Sequence, residues 1–446
     1  MLYLITAQRG VLRRNRLLIG VAAVVLVAGI VGYVSATAGA RRGHQAGQTT
    51  SRTVGGRVRA AARLTAVSPA LGLRPGAFSP IAQGYSAAQA ALPNLTPLQL
   101  AGQRVIYSYT GVNPPSGLIS LIKNGEAAGV IFFGGNVGST PPTAAQLAHF
   151  KVVVAKLQAA AASPSNPVHQ PLLLMTDQEG GVVRRLPGAP VLSAKQIGRS
   201  AHPQAAATKA GAGAASNLRG FGLNVNLAPV LDVFRKPGNF IDQFGRSFSS
   251  NPAKVATLGT LYAKAEIAGH IGATVKHFPG LGAATRTQNT DLRPVTLKLP
   301  LASIRSVDEL PYKSAIAAKV QLVMVSWAIY PALGATRPGG LSVKVVRGEL
   351  RQRLGFAGVT ITDAIGAGAL KPFGATGNRV TMASRAGMDL MLCAAQNFRE
   401  GDTAIHALAT FFSAGSPATK AAFKAAVERV IALRATLPGT LGTLPS

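Results

Sequence analysis

The stretch Pro171-Leu-Leu-Leu-Met-Thr-Asp-Gln-Glu-Gly-Gly181 decides the fold. Its first five residues are apolar without alternation, and polar residues and two glycines follow at once. A strand with no polar face is buried on both sides, as in a parallel sheet covered by helices. In such sheets ligands meet the carboxyl ends of the strands, where this stretch turns polar.

Seven further runs share that texture: Arg104 to Tyr109, Ala128 to Phe133, Leu223 to Ala228, Gly272 to His277, Gln321 to Ser326, Gly358 to Thr362 and Met388 to Cys393. Between them lie stretches of helical length, near Ser116 to Gly125, Thr143 to Ala162, Pro203 to Phe221, Pro252 to Gly269, Leu301 to Ala318, Ser342 to Leu354 and Thr376 to Ala386, with a last helical region after Glu400. Alternating strands and helices make an α/β protein, and eight units are the number that closes a (β/α)8 TIM barrel. A doubly wound open sheet shares the alternation, so the barrel rests on the count.

The polar residues fall where a barrel needs them. The third run ends in Asp177-Gln178-Glu179-Gly180-Gly181, the fourth leads to Asp232, the fifth ends in Lys276-His277-Phe278-Pro279-Gly280-Leu281-Gly282, and the seventh ends in Thr362-Asp363. The chain holds only 15 Asp and Glu, and four of them take strand ends.

Against those 15 acids stand 46 Lys and Arg, a formal charge of +31 that raises polyanions as partners. The basic residues are scattered, without an arginine-rich arm, zinc-finger spacing or aromatic RNA-binding signature, so no specific nucleic acid is expected. Cys393 is the single cysteine and sits in an apolar run, which excludes an intramolecular disulfide and reads as a buried thiol. No His and carboxylate spacing points to a metal, and neither a cofactor nor a second copy is expected.

Residues 1–40 read as a targeting segment. Arg9, Arg13, Arg14 and Arg16 flank an uncharged run from Leu17 to Val34, which favours a single-pass membrane anchor with the barrel outside the cytoplasm. Small-residue sites at Ala36-Thr37-Ala38 and Ala38-Gly39-Ala40 leave a cleaved signal and secretion as the alternative. Residues 41–92, rich in Ala, Gly, Arg and Pro, read as a stalk, and 93–440 as one catalytic domain.

From about Leu95 to Leu433 the chain resembles the single-domain β-N-acetylhexosaminidases of glycoside hydrolase family 3. The resemblance rests on Asp177 to Gly181 with Arg184 and Arg185, on Arg246-Ser247-Phe248, on Lys276 to Gly282 and on Thr362-Asp363. It implies a retaining exo-glycosidase that removes terminal β-linked N-acetylglucosamine from cell-wall glycan fragments. Asp363 corresponds to the family nucleophile, and Asp177, Arg185, Arg246, Lys276 and His277 correspond to its substrate-binding residues. A nucleophilic carboxylate forms a glycosyl-enzyme that water resolves with retention. From the residues alone, Asp363 could equally cap a helix, Arg246 could pair with Asp242, and Glu179 and Asp232 read as partners of basic neighbours.

The chain departs from the family pattern at the proton donor. The family uses a histidine, assisted by an aspartate two residues earlier, on a mobile loop after the Lys-His-Phe-Pro-Gly string. Here Thr287 stands in place of that aspartate and Asn289 in place of the histidine, and neither moves a proton near neutral pH. Three readings stay open: Asp291 swings in as acid/base, His277 takes the role, or proton transfer is weak or absent. The last would leave a membrane-anchored carbohydrate-binding protein on the same barrel. A β-glucosidase or a phosphate-using variant also remains open. Trp327 stands where the family often has histidine, placed either to stack on a sugar or to fill the barrel mouth.

Overall fold

Each of the eight apolar runs forms one short strand in the computed structural model, which describes residues 80–439. In chain order the strands are β1 (Val105–Tyr107), β2 (Gly129–Ile131), β3 (Leu173–Thr176), then a hairpin of β4 (Gln178–Gly180) and β5 (Val183–Arg184), then β6 (Val225–Asn226), β7 (Gly272–Phe278), β8 (Leu322–Val325), β9 (Val359–Ala364) and β10 (Leu390–Leu392). All but the hairpin pair in parallel, and β10 returns to β1 through Val105–Met391, so the sheet is a closed barrel and not an open one.

The two-residue period of a strand decides which side chains enter the barrel. Leu173 and Met175 of β3, Leu322 and Met324 of β8, and Val359 and Ile361 of β9 share an inner cluster. Their neighbours Leu174, Val323 and Val325 pack outward under the helices. Extending the inward parity to the strand ends brings Asp177 and Asp363 to the mouth. Cys393 is buried in the outward layer, and burial pushes its thiol pKa well up.

The helices follow the expected stretches, Lys344–Arg353 as a π-helix, and two departures bear on the packing. The stretch from Leu301 to Ala318 breaks into Leu301–Ser303, a π-helical Ile304–Asp308 and Leu310–Ala317. Pro311 in the first turn of the last piece has no N–H to give, so the helix restarts there instead of running through. The other is Pro80–Ala91, a helix within the stretch read as stalk. It lies on the final helix Pro417–Ala435, where a Cβ at Gly84 would come 2.5 Å from the Ala432 carbonyl oxygen, so that glycine permits the approach.

No helix among the described residues is long and apolar enough to cross a membrane. The described residues therefore lend nothing to the expected single-pass anchor, membrane contact or membrane placement, and correct any reading that puts them in the described domain. The longest of the described helices, Pro417–Ala435, carries Lys420, Lys424, Glu428, Arg429 and Arg434, whereas a span needs about 20 mostly apolar residues. Leu17 to Val34, on which the anchor reading rested, lies outside the described residues.

Buried ion pairs close the end of the barrel where the strands begin. Asp389, just before β10, accepts from Arg429 (Nη2, 2.7 Å), from Arg351 and from the Thr360 N–H (2.8 Å). Arg104 donates to the Asp389 carbonyl at 3.1 Å, and Arg434 to the Pro171 carbonyl at 2.7 Å. Asp389→Ala should therefore strand two arginines and destabilise the fold by about 3 kcal/mol. Urea unfolding checks this, with the site at the far end unaffected in the molecules that remain folded.

Candidate active site

Lys276, at the end of β7, is buried with its ammonium between two carboxylates. Nζ lies 2.7 Å from Asp177 Oδ1 and 2.8 Å from Glu179 Oε1. Arg246 closes on Glu179 from the other side with Nε at 2.9 Å and Nη2 at 2.7 Å, a bidentate pair. Arg185 approaches Asp177 at 3.7 Å. Burial by itself would raise both carboxyl pKa values, but Lys276 and Arg185 hold Asp177 below its ordinary range, and Arg246 and Lys276 do the same for Glu179. Burial likewise opposes the charge on Lys276, and Asp177 and Glu179 more than reverse it, so its pKa is raised. Arg246 thus pairs with Glu179 and not with Asp242, whose carboxylate takes Lys195 at 2.7 Å.

Gln178, between the two carboxylates in sequence, organises the hairpin that carries Arg185. Its amide accepts from the N–H groups of Arg185 and Leu186 and donates to the carbonyls of Leu186 and Ala189. His277 Nδ1 lies 2.7 Å from Asp232 Oδ2, and Asp232 Oδ1 accepts the Leu281 N–H at 2.6 Å. Asp232 therefore orients the histidine and fixes the turn after it.

Asp363 is half-buried at the end of β9, with Oδ1 accepting the N–H of Ala364 at 2.7 Å. It caps no helix: the next helical turn, Gly368–Phe373, begins after Ala367 and has no side-chain cap. Asp291 is also half-buried, and its pKa is raised to about 6, first by burial and then by the charge of Asp363, with Arg246 and His277 opposing. The backbone at Asp291 is hydrogen-bonded to the segment that follows Asp363. The Asp291 carbonyl accepts the Gly368 N–H at 2.8 Å, and the Thr290 carbonyl accepts the Ala369 N–H at 2.9 Å. Asn289, in the histidine's place, spends its side-chain oxygen on the Asp291 N–H at 2.8 Å, and Thr287 is exposed.

Trp327 is fully buried and donates its indole N–H to the Ala364 carbonyl at 2.9 Å. It packs in the outward layer against Gly340 and braces the residue after Asp363, so the sugar-stacking alternative falls away.

Several residues of this region escaped the sequence reading. Asn226 accepts the Gln178 N–H at 3.0 Å and donates to the buried Glu266 at 2.6 Å, whose pKa burial drives well up against the opposing Asn226 hydrogen bond. Asp308 pairs with Arg235 at 2.6 Å, and burial raises its pKa to about 7 although Arg235 opposes. A lone carboxylate on an Ala-rich helix was the available signal for Glu266; Asp308 had none. Among the described residues no group of three or more His, Cys, Asp or Glu could hold a metal ion. A cavity of about 440 Å³ beside Gln158, His169 and Pro171 lies at the strand-start end and does not bear on these residues.

Residues 100–433 match the glycosyl hydrolase family 3 N-terminal domain. A secreted glycosyl hydrolase of Arthroderma benhamiae is 45% identical over 338 residues, covering 76% of this chain and 93% of the relative. A β-hexosaminidase of Xanthomonas oryzae pv. oryzae is 33% identical over 61% of this chain and 77% of its own length. Among solved structures, a family 3 β-N-acetylglucosaminidase of Paenibacillus superposes with a TM-score of 0.70 at 31% identity, covering 79% of this chain and 65% of that one. A β-N-acetylhexosaminidase of Beutenbergia cavernae gives 0.66 at 28% identity, covering 76% and 98%.

The ion-pair cluster carries a stability prediction. Glu179→Gln leaves Lys276 and Arg246 with one carboxylate fewer and should cost about 3 kcal/mol at neutral pH. Because the folded pKa of Glu179 lies below its ordinary value of 4.5, its contribution is complete above that value and lost as pH falls. The gap between wild type and variant in urea unfolding should therefore narrow on acidification below it.

Proposed function

Because the chain belongs to glycosyl hydrolase family 3, we infer that the cluster at the strand ends is its sugar-cleaving site. The protein is a glycoside hydrolase of the retaining type, acting on glycans that contain β-linked N-acetylglucosamine. We propose that it releases the terminal sugar from cell-wall fragments, with Asp363 as nucleophile and Asp291 as acid/base. Since the Arthroderma relative is secreted, we propose the same placement for this activity.

What supports the residue assignment is the geometry that ties the Asp291 backbone to the segment following Asp363 at the end of β9, where burial and the charge of Asp363 raise the Asp291 pKa. Two carboxyl groups in one site divide acid and base roles when one of them holds its proton more strongly. In the first step Asp291 gives its proton to the glycosidic oxygen while Asp363 attacks the anomeric carbon. The carbon–oxygen bond to the aglycone breaks and an ester to Asp363 forms. In the second step Asp291, now ionised, takes a proton from water, whose oxygen displaces Asp363 with net retention. The Asp177 and Lys276 pair, with Arg185, Arg246 and His277, supplies charged acceptors and donors for the sugar hydroxyls, whose hydrogen bonds strengthen as the ring gains positive charge. His277 is assigned to binding by its correspondence to the family's substrate-contacting position; Asp232 holds its Nδ1 and leaves Nε2 to meet a sugar hydroxyl.

Two measurements test the assignment. A slowly turning-over fluorinated glycoside should add covalent mass to the peptide containing Asp363, and Asp363→Asn should prevent it; binding without labelling would instead support a carbohydrate-binding protein. Asp291→Asn should lower kcat/KM about 10³-fold for a poor leaving group and only a few-fold for one that needs no proton. A general acid works in its protonated form. The wild-type kcat/KM on the poor leaving group should therefore fall as pH rises through about 6, a limb that Asp291→Asn removes.

A further inference from the structure

We propose that Gly368 is the positioning residue for Asp291, so that nucleophile and acid/base are carried on one braced segment instead of meeting when a loop closes. The inference rests on the acid/base reading of Asp291 and adds the element that holds it.

The contact is between backbones. Gly368 and Ala369 donate their N–H groups to the carbonyls of Asp291 and Thr290 at 2.8 and 2.9 Å. A Cβ built on Gly368 would lie 2.2 Å from both the carbonyl carbon and oxygen of Leu292 and 2.8 Å from the carbonyl oxygen of Asp291. No side chain fits such a gap, and the atoms it would strike are peptide groups that cannot rotate away.

The Gly368 side is itself fixed to the nucleophile. Ala364, next to Asp363, accepts at its carbonyl both the Trp327 indole N–H (2.9 Å) and the Ala367 N–H (3.0 Å). Ile365 donates to the Leu392 carbonyl at 3.0 Å and accepts from Arg379 at 3.0 Å. From Asp363 to Gly368 the chain is thus tied to β8, to β10 and to the helix Thr376–Ala386. On the opposite side Asn289 caps the Asp291 N–H. The residue that replaces the family histidine thereby helps to hold the carboxylate that we assign to its task.

A side chain at Gly368 should push the Thr290 to Leu292 backbone away and move the Asp291 carboxyl from the glycosidic oxygen. A misplacement of about 1 Å costs on the order of 10² in rate for a group that must meet its partner in the transition state. The test compares Gly368→Ala with Asp291→Asn in the full chain, using kcat/KM on methyl and dinitrophenyl N-acetyl-β-glucosaminides, the second needing no proton. Gly368→Ala should lose about 100-fold on the methyl glycoside and less than about threefold on the dinitrophenyl one. Added azide should speed turnover of its glycosyl-enzyme, as it should for Asp291→Asn. A structural role alone would lower both substrates together.

Equal losses on the two substrates, or none, for Gly368→Ala while Asp291→Asn keeps its leaving-group selectivity would overturn the positioning role and leave the acid/base reading intact. Equal losses for Asp291→Asn would sink that reading and the inference with it. Should Gly368→Ala fail to fold, Ala369→Pro deletes the donor to Thr290 and is judged by the same ratio.

Discussion

The buried ammonium of Lys276 is the constraint on which the mouth of this barrel depends. A charge removed from water must be paired closely or it costs several kcal/mol, and here the pairing spans three elements. Asp177 at the end of β3, Glu179 in the hairpin and Lys276 at the end of β7 meet within 2.8 Å. Arg246 then closes the remaining face of Glu179. The outcome is a set of donors and acceptors that keep their charges and are held in place before any ligand arrives, which is the property of a preorganised polar site.

The loop after β7 is where the chain departs from the pattern of its family. It has lost the histidine and its assisting aspartate, and two residues beyond the histidine's place it offers a carboxyl. A carboxylic acid free in water is ionised well below neutral pH and is a poor proton donor to a sugar oxygen. Burial and the neighbouring Asp363 raise Asp291 to about 6, into the range where a donor works at near-neutral pH. The same burial requires the loop to lie down, and its contacts with Gly368 and Ala369 are the means. The raised pKa of Asp291 and the backbone contacts of its loop therefore come from one packing arrangement.

Much of the fold could be read in advance because its signals are local. Pro171 to Thr176 and Gly358 to Thr362 declare doubly buried strands by composition, with Asp177 and Asp363 at their ends. The hairpin after β3 was harder to see, because two- and three-residue strands leave almost no periodic signal. Pro80–Ala91 was read as stalk for a similar reason: it is Ala- and Gln-rich, and its place depends on the backbone of Pro417–Ala435. Trp327 fitted two roles equally well until the Ala364 carbonyl, 37 positions away, appeared beside its indole nitrogen.

By itself, then, the sequence determined the number and order of the strands, the place of Asp177 and Asp363 at strand ends, and the absence of the family's histidine from the loop after β7. These depend on a residue's near neighbours along the chain. Only the tertiary structure decided that Lys276 reaches Asp177 across 99 positions, that Arg246 belongs to Glu179 and not to Asp242, and that the backbone of Asp291 meets that of Gly368. Each of these follows from closure of the barrel, which sets distances between strand ends that no local pattern encodes and buries charges whose partners must then come from wherever the closed sheet brings them.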